Sequence, residues 1–495
     1  MLAAAWSDNQ HQRLAYQVDQ IAPGADFLLL DPATAPPRGL TGWLVDALRS
    51  AIADGGLAPG ARLPATRMLA TDLAVSRGVV VEAYRRLTDE GLVGGRSGGG
   101  TTVLARPARP PRPRPRRNPE PAGFPQLTRP RLPVGEGIDL TPGVPDLSAF
   151  PRAAWLRAER AVLTEVPPDE LGYGDPRGHP WLRSALAPWL ARTRGLRVSP
   201  DDILVVSGVA QAFALIAQNL RREGMDAIAV EDPGSRGAVH EFEYWGLRPV
   251  PVPVDEQGIQ VGALAASATR AVFLTPAHQF PTGVVLAPQR RRELLTWAAE
   301  ASLVIEDDYD AEYRYDRAPV PALHAAAPDR IAYAGSTSKS LAPALRLGWL
   351  VPPRRRYPDL VAAKHASDLG SPTVPQLVLA RLLENGEYDR HIRLMRARHR
   401  ARRDALLGAL TTGLPAASVQ GVAAGLHLVV TLPDADVDDV ALADELHDAG
   451  VVCLPLSWHR HRRRPGPAGL VLGYAAHTPD QLRAAGATIA RVAQL

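Results

Sequence analysis

The sequence predicts an α/β protein in two parts, a small helical unit in front and a large domain built on a parallel sheet behind it. Three observations carry this. The chain has 495 residues, more than a single domain usually holds. After residue 138, short apolar runs alternate with helical stretches. Between the two parts lies ARPARPPRPRPRRNPEPAGFPQLTRPRLPVG, residues 105–135, whose proline and arginine density excludes helix and strand and favours a stiff, extended spacer.

In the front part, WLVDALRSAIADG has apolar residues at helical spacing and ends at glycine. PATRMLATDL gives a second helix after Pro64, and the turn AVS leads to a third, RGVVVEAYRRLTDEG, closed by Gly91. LVGGRSGGGTTVLA then reads as two short strands around a glycine-rich tip. Helices joined by a tight turn and followed by a β-hairpin make a winged helix-turn-helix, a DNA-binding module. The organisation expected is an N-terminal extension 1–25, this unit at 26–104, a linker at 105–137 and the large domain at 138–495.

In the large domain the runs ILVVS, AIAVE, AVFLT, LVIED and IAYAG read as strands buried on both faces, hence a parallel sheet. Such sheets bind ligands at the carboxyl ends of their strands, and the polar residues follow these runs there.

The totals narrow the function. Hydrophobic residues make up 46% and charged residues 22%, as in a soluble globular protein, and a net charge of +4 leaves nucleic-acid binding to local charge. The lone Cys453 excludes an internal disulfide framework, and no Cys/His spacing resembles a zinc site, so no metal is expected. No apolar run spans a membrane, and MLAAAWSDNQHQ lacks a basic n-region, so a cytoplasmic protein is expected.

Chemistry concentrates at four strand ends. Gly208, with the amides of Val209, Ala210 and Gln211, presents N–H groups and a helix start to an anion. IEDDYDAEY places acids where a buried strand ends, so they need cationic partners. TPAHQFPTG is a shaped turn, and STSKSLAPALRLG offers Ser336, Ser338, Lys339 and Arg346. Lys339 is one of two lysines beside 54 arginines, the other being Lys364, which follows no strand. A primary amine condenses with an aldehyde; a guanidinium, always protonated, does not. Hydroxyls and Arg346 suit a phosphate, and Asp307 suits a protonated ring nitrogen. Together these parts describe a pyridoxal 5′-phosphate (PLP) site.

GARLPATRMLATDLAVSRGVVVEAYRRL, LGYGDPRG, EDPG, HQFPTG, IEDDYDAEY and STSKSLAPALRLGW, in this order, resemble the MocR subfamily of GntR-family bacterial regulators. There a winged helix is fused to a PLP-dependent fold type I, aspartate-aminotransferase-like domain. The resemblance implies that Lys339 forms the internal aldimine and that Asp307 pairs with the pyridine nitrogen, or Asp308 if the register slips by one. It implies Tyr309 at the ring's phenolic oxygen, Ser336, Ser338, Arg346 and the 208–210 turn at the phosphate, and Tyr173 reaching the partner subunit's phosphate in a homodimer. For DNA it implies Arg67, Ser76 and Arg77 at the recognition helix and Arg96 in the wing, with valine at position 79 where threonine is common. Tyr84 reads equally as core or contact and Leu87 as core. With only two more arginines than acids over 38–104, one module binds weakly and a dimer on paired half-sites is expected.

Two positions depart from the resembled pattern, Ser235 and Val471, and a third, Phe280, departs from aminotransferases in a way also seen among these regulators. Ser235 stands where an aromatic stacks on the cofactor, Phe280 where asparagine is usual, and Val471 where an arginine clamps the substrate carboxylate. The expected function is therefore a DNA-binding transcriptional regulator sensing PLP or a PLP–amino acid adduct. A working aminotransferase carrying a DNA-binding domain is the alternative, and a cofactor-free dimerisation domain a third reading. HRHRRRP at 459–465 reads as a solvated loop rather than a metal site.

Overall fold

The computed structural model describes residues 30, 32–36, 39–96, 100–104, 137–299, 302–310, 312–315, 320–421, 423–434, 436–461 and 466–493. The extension 1–25 and the linker, up to residue 136, lie outside them. The chain divides into two compact units, Met1–Ala122 and Gly123–Leu495.

In the first unit, α1 (Leu40–Ala53), α2 (Thr66–Asp72) and α3 (Arg77–Asp89) precede an antiparallel hairpin of β1 (Val93–Arg96) and β2 (Gly100–Val103). Leu44, Leu48 and Ile52 recur one turn apart on α1, and Val80, Ala83 and Leu87 on α3; these stripes bury each other and Leu69 of α2. Tyr84 and Leu87 are both core, Tyr84 donating its hydroxyl to the Pro64 carbonyl at 2.9 Å. Between α2 and α3 the chain turns through Ala74 at φ +51°, a left-handed conformation that strains a residue with a Cβ. We expect Ala74→Gly to stabilise this unit by about 0.5–1 kcal/mol, the relief of strain exceeding the added unfolded-state entropy. Slower hydrogen exchange in α2 and α3 of the full chain checks it.

The second unit is α/β. It begins with β3 (Ile138–Asp139), α4 (Arg152–Glu165) and α5 (Pro180–Arg194), then β4 (Leu204–Val206), α6 (Val209–Arg222), β5 (Ala227–Asp232), α7 (Arg236–Tyr244), β6 (Arg248–Asp255) and β7 (Gly258–Ile259). There follow α8 (Val261–Ala266), β8 (Ala271–Leu274), α9 (Pro288–Ala299), β9 (Leu303–Asp308), β10 (Ile331–Ser336) and β11 (Gly348–Val351). The main sheet runs β4-β11-β10-β9-β8-β5-β6-β7. Neighbours from β10 to β6 are parallel, as expected, but β11 is antiparallel to both β10 and β4. The expectation of a purely parallel sheet is corrected by the tight return from β10 into β11, which reverses direction where a crossover would have kept it. β6, RPVPVPVD, pairs with β5 along six residues despite three prolines. Prolines at every second position put all their missing N–H groups on one edge, and β5 uses the other.

The chain then continues through α10 (Tyr357–Asp368), α11 (Thr373–Glu384) and the long α12 (Glu387–Gly413) into a second sheet. That sheet comprises β12 (Ser418–Gln420), β13 (His427–Thr431), β15 (Leu454–Pro455) and β16 (Gly469–Gly473), with α13 (Asp439–Asp448), β14 (Val451–Val452) and α14 (Pro479–Ala493) around it. Apolar residues of α6 and α7 cover one face of the main sheet, those of α5 and α11 part of the other. No helix of the described residues is long and apolar enough to cross a membrane.

Candidate cofactor site and DNA-contact residues

The return between β10 and β11 carries the lysine. Lys339 is largely buried, and its Nζ donates to the Gly143 carbonyl at 2.5 Å. The turn is clamped from outside. Tyr313 donates to the Lys339 carbonyl at 3.2 Å, the Ser340 hydroxyl meets that of Tyr388 at 2.7 Å, and His391 Nε2 reaches the Ser340 carbonyl at 2.8 Å. Burial lowers the Lys339 pKa, opposed by the charges of Asp307 and Asp310. A lowered pKa leaves more free amine, the form that attacks a carbonyl.

Asp307 and Asp308 are adjacent on β9 and so face opposite sides of the sheet. Asp308 is consumed by structure: Arg194 donates to it at 2.5 and 2.9 Å and Tyr333 at 2.5 Å, all three buried. Asp307 faces the lysine's side, and its Oδ1 is buried without a hydrogen-bond partner among the described residues. Burial first, then Asp308 and Asp310, push its pKa up to about 8, while Lys339 pulls it down. Of the two adjacent carboxylates, Asp307 is thus the one without a protein partner among the described residues and Asp308 the one paired with Arg194. Tyr309, next along, points its hydroxyl at His278 Nδ1, 3.0 Å away, and Phe280 meets its ring edge-on at 6.1 Å.

At the other end of the hairpin, Gly208 has φ +95°, and a Cβ there would lie 3.3 Å from the Arg346 guanidinium. The Arg346 guanidinium has no hydrogen-bond or ion-pair partner among the described residues, while its backbone N–H donates to the Pro343 carbonyl at 3.2 Å. Glycine thus leaves a cradle between an arginine and the first N–H groups of α6, Val209 and Ala210, which precede the helix's own bonding. Ser336 is buried, its Oγ accepting the Ser338 N–H at 3.4 Å.

Lys364, the other lysine, is a buried brace. Its Nζ lies 2.8 Å from Asp368, 3.2 Å from Gln211 Oε1 and 3.1 Å from Ser371. Gln211 also accepts the Ser207 N–H at 2.8 Å, so the second lysine steadies the start of α6. The Lys364–Asp368 spacing, one helical turn, was the available sequence signal.

Tyr173 stands apart. It is 93% exposed and, with Asp368, Gly370, Ser371 and Thr373, lines a cavity of ≈550 Å³. Ser235 caps α7, accepting the Ala238 N–H at 3.3 Å, and Val471 is buried in β16 among Val429, Leu454 and Leu456. His459 is buried edge-on against Phe280 rather than in a solvated loop, and desolvation lowers its pKa to about 4; residues 462–465 lie outside the described ones.

In the first unit, Arg67, Ser76 and Arg77 are exposed around the α2–α3 turn. Ser76 is the N-cap of α3 but makes no side-chain cap bond, which leaves its hydroxyl free to meet another acceptor or donor. Arg77 Nε lies 3.5 Å from Thr66 Oγ1. Arg96 ends β1, and its side chain lies outside the described residues.

The residues present fit PLP: an unpartnered buried carboxylate faces the lysine, and a glycine cradle lies under a free guanidinium. Two family models match the chain, the gntR family of bacterial regulatory proteins at residues 41–103 and aminotransferase class I and II at 136–489. The chain is thus a PLP-dependent, aminotransferase-type domain carried by a GntR-type regulator. More particularly, it belongs to the MocR and PdxR type of transcriptional regulator. It is 32% identical over 452 residues to the probable rhizopine catabolism regulatory protein MocR of Rhizobium meliloti, covering 89% of this chain and 91% of that one. It is 32% identical over 455 residues to the pyridoxine biosynthesis regulator PdxR of Corynebacterium glutamicum, covering 90% and 94%. The kynurenine aminotransferase of Pyrococcus horikoshii, solved with PMP, matches with a TM-score of 0.67 and 28% identity over 72% of this chain and 91% of that one.

Proposed function

We propose that this regulator senses PLP or a PLP–amino acid adduct, and that the bound state of its large domain sets how a homodimer holds an operator in the cytoplasm. One observation carries the reading: a buried, unpartnered Asp307 carboxyl faces the side of Lys339, while Val471 is packed in apolar core at the position read as the carboxylate clamp. Bound PLP supplies an aldehyde carbon and an electron-withdrawing ring. Around it, Lys339 presents the amine and Asp307 holds a proton at the ring nitrogen. Tyr309 meets the phenolic oxygen, and Gly208, Val209, Ala210, Ser336, Ser338 and Arg346 cradle the phosphate. Exposed Tyr173 completes the partner's site.

PLP acts as an effector only through unequal affinity for two states of the protein. Footprinting of the promoter upstream of its own gene, with and without PLP, tests this: a pattern indifferent to PLP leaves the cofactor a structural role. Incubation with amino acids tests the enzyme reading, which keto-acid formation over many turnovers would establish in its place. In the first unit, Arg77→Ala should weaken operator binding by about 1–3 kcal/mol, roughly tenfold to a hundredfold, in a gel-shift titration at fixed salt.

A further inference from the structure

Behind Tyr309 the structure holds a buried cluster that joins two of the quoted segments, HQFPTG and IEDDYDAEY. His278 Nδ1 lies 2.9 Å from Asp310 Oδ2 and 3.0 Å from the Tyr309 hydroxyl. His278 and Asp310 are only 2% and 1% exposed, and His278 Nε2 has no hydrogen-bond partner among the described residues. The fold makes room for this pair with a glycine. Gly425 has φ +83°, and a Cβ there would fall 2.0 Å from His278 Cε1 and 2.7 Å from Asp310 Oδ2. On the far side the ring of His427 packs at 5.0 Å, its Nε2 donating to the Pro281 carbonyl at 2.8 Å.

One nitrogen, with at most one proton, faces two oxygens. A buried carboxylate left without a donor costs more than a phenol left without an acceptor, so the proton belongs on Nδ1, directed at Asp310. Nε2, which meets no acceptor, is then the bare nitrogen. The Tyr309 oxygen stands beside that same N–H, which it shares with Asp310, and toward the nitrogen it can only accept. Its own hydrogen lies with Asp310, the hydroxyl's other side-chain partner, and is the one that can turn to an acceptor brought into the site. The phenol keeps that hydrogen, because burial first, then the charges of Asp310 and Asp307 and the hydrogen bond to Asp310, hold its pKa well above the ordinary value.

We propose that Asp310 and His278 are a positioning pair for the cofactor's phenolic oxygen: Asp310 fixes the His278 tautomer, and the Nδ1–H turns the Tyr309 hydroxyl to donate toward bound PLP. The pair acts through Tyr309 and is not itself catalytic. The proposal rests on reading the site as a PLP seat.

The test is a pH titration of the bound cofactor's visible band in the full-length protein. Tyr309→Phe should raise the band's apparent pKa by about one unit, since the phenolic oxygen's ionised form loses a donor. His278→Gln, which places no N–H at the Nδ1 position, should reproduce more than half of that shift. His278→Asn, whose amide stands close to Nδ1, should restore the wild-type value. Added to Tyr309→Phe, His278→Gln should do nothing further. A His278→Gln titration equal to wild type, or a shift fully additive with Tyr309→Phe, overturns the pair. So does stoichiometric zinc in the purified protein, because His278, Asp310 and His427 also offer ligand atoms within 4.8 Å of one another. Should His278→Gln fail to fold, Asp310→Asn, of the same shape, should give a smaller shift of the same sign, and none overturns the pair. A wild-type protein without any visible band sinks the PLP seat itself and is told apart from failure of the pair by that alone.

Discussion

Replacing Lys339 by alanine will abolish the visible absorption of the purified protein while leaving its fold and its non-specific DNA affinity intact. The effect is large because no other amine can substitute. The chain's other lysine, Lys364, is tied to Asp368, Gln211 and Ser371 inside the protein, and arginine does no such chemistry. The fold survives because the turn is held by other groups: Tyr313, Tyr388 and His391 grip the Lys339 and Ser340 backbone and the Ser340 hydroxyl, not the Lys339 amine. PLP should still enter the site by its phosphate, so equilibrium dialysis will find weakened rather than absent binding. Full retention of the visible band would remove the covalent reading. If the sensing proposal holds, the variant's footprint will match the wild type without PLP and no longer respond to PLP.

The parts of this site that the sequence made legible share a physical property: each is written in local pattern. An apolar run followed by a glycine, a serine or an acid marks a buried strand meeting a loop, and β4, β9 and β10 all end this way. A lysine in an arginine-saturated chain marks a need for a primary amine. What sequence left dark depends on distant partners. Arg194 and Asp308 are 114 residues apart, and nothing local in either announces the other. His278, Asp310 and Gly425 come from a turn, a strand end and the entry to the second sheet, and meet only because Gly425 lacks a side chain. The reversal of β11 was hidden for another reason: GWLV has the composition of any buried strand, and composition carries no direction. Tyr173 needs more than one chain for its reading, since within one chain it faces solvent.

The adjacent aspartates of β9 give the sharpest separation of function from stability. Asp308→Asn should destabilise the large unit by about 3–5 kcal/mol, because it leaves the buried Arg194 guanidinium without its counter-charge. Thermal melts of the full chain should show the large unit's transition falling by several degrees. Asp307→Asn should do the opposite in the absence of cofactor. Its carboxyl has a folded-state pKa of about 8 against the ordinary 3.8, so the folded protein binds the extra proton between those values. Stability contributed by this group therefore falls as pH rises from about 4 to about 8, where the ionised form must be buried unpaired. Asparagine never ionises, so the cofactor-free variant should melt well above wild type at pH 8–9, by much less at pH 5, and alike only below about pH 4. With PLP the order inverts. A carboxylate facing a protonated ring nitrogen is a charge-assisted contact of about 1.5–3 kcal/mol, and its loss should weaken PLP binding roughly tenfold to a hundredfold. Had the register been the other way, Asp307→Asn would lower the melt at every pH and Asp308→Asn would cost affinity. The two variants, melted at two pH values with and without PLP, therefore decide which carboxylate serves the cofactor and which serves the fold.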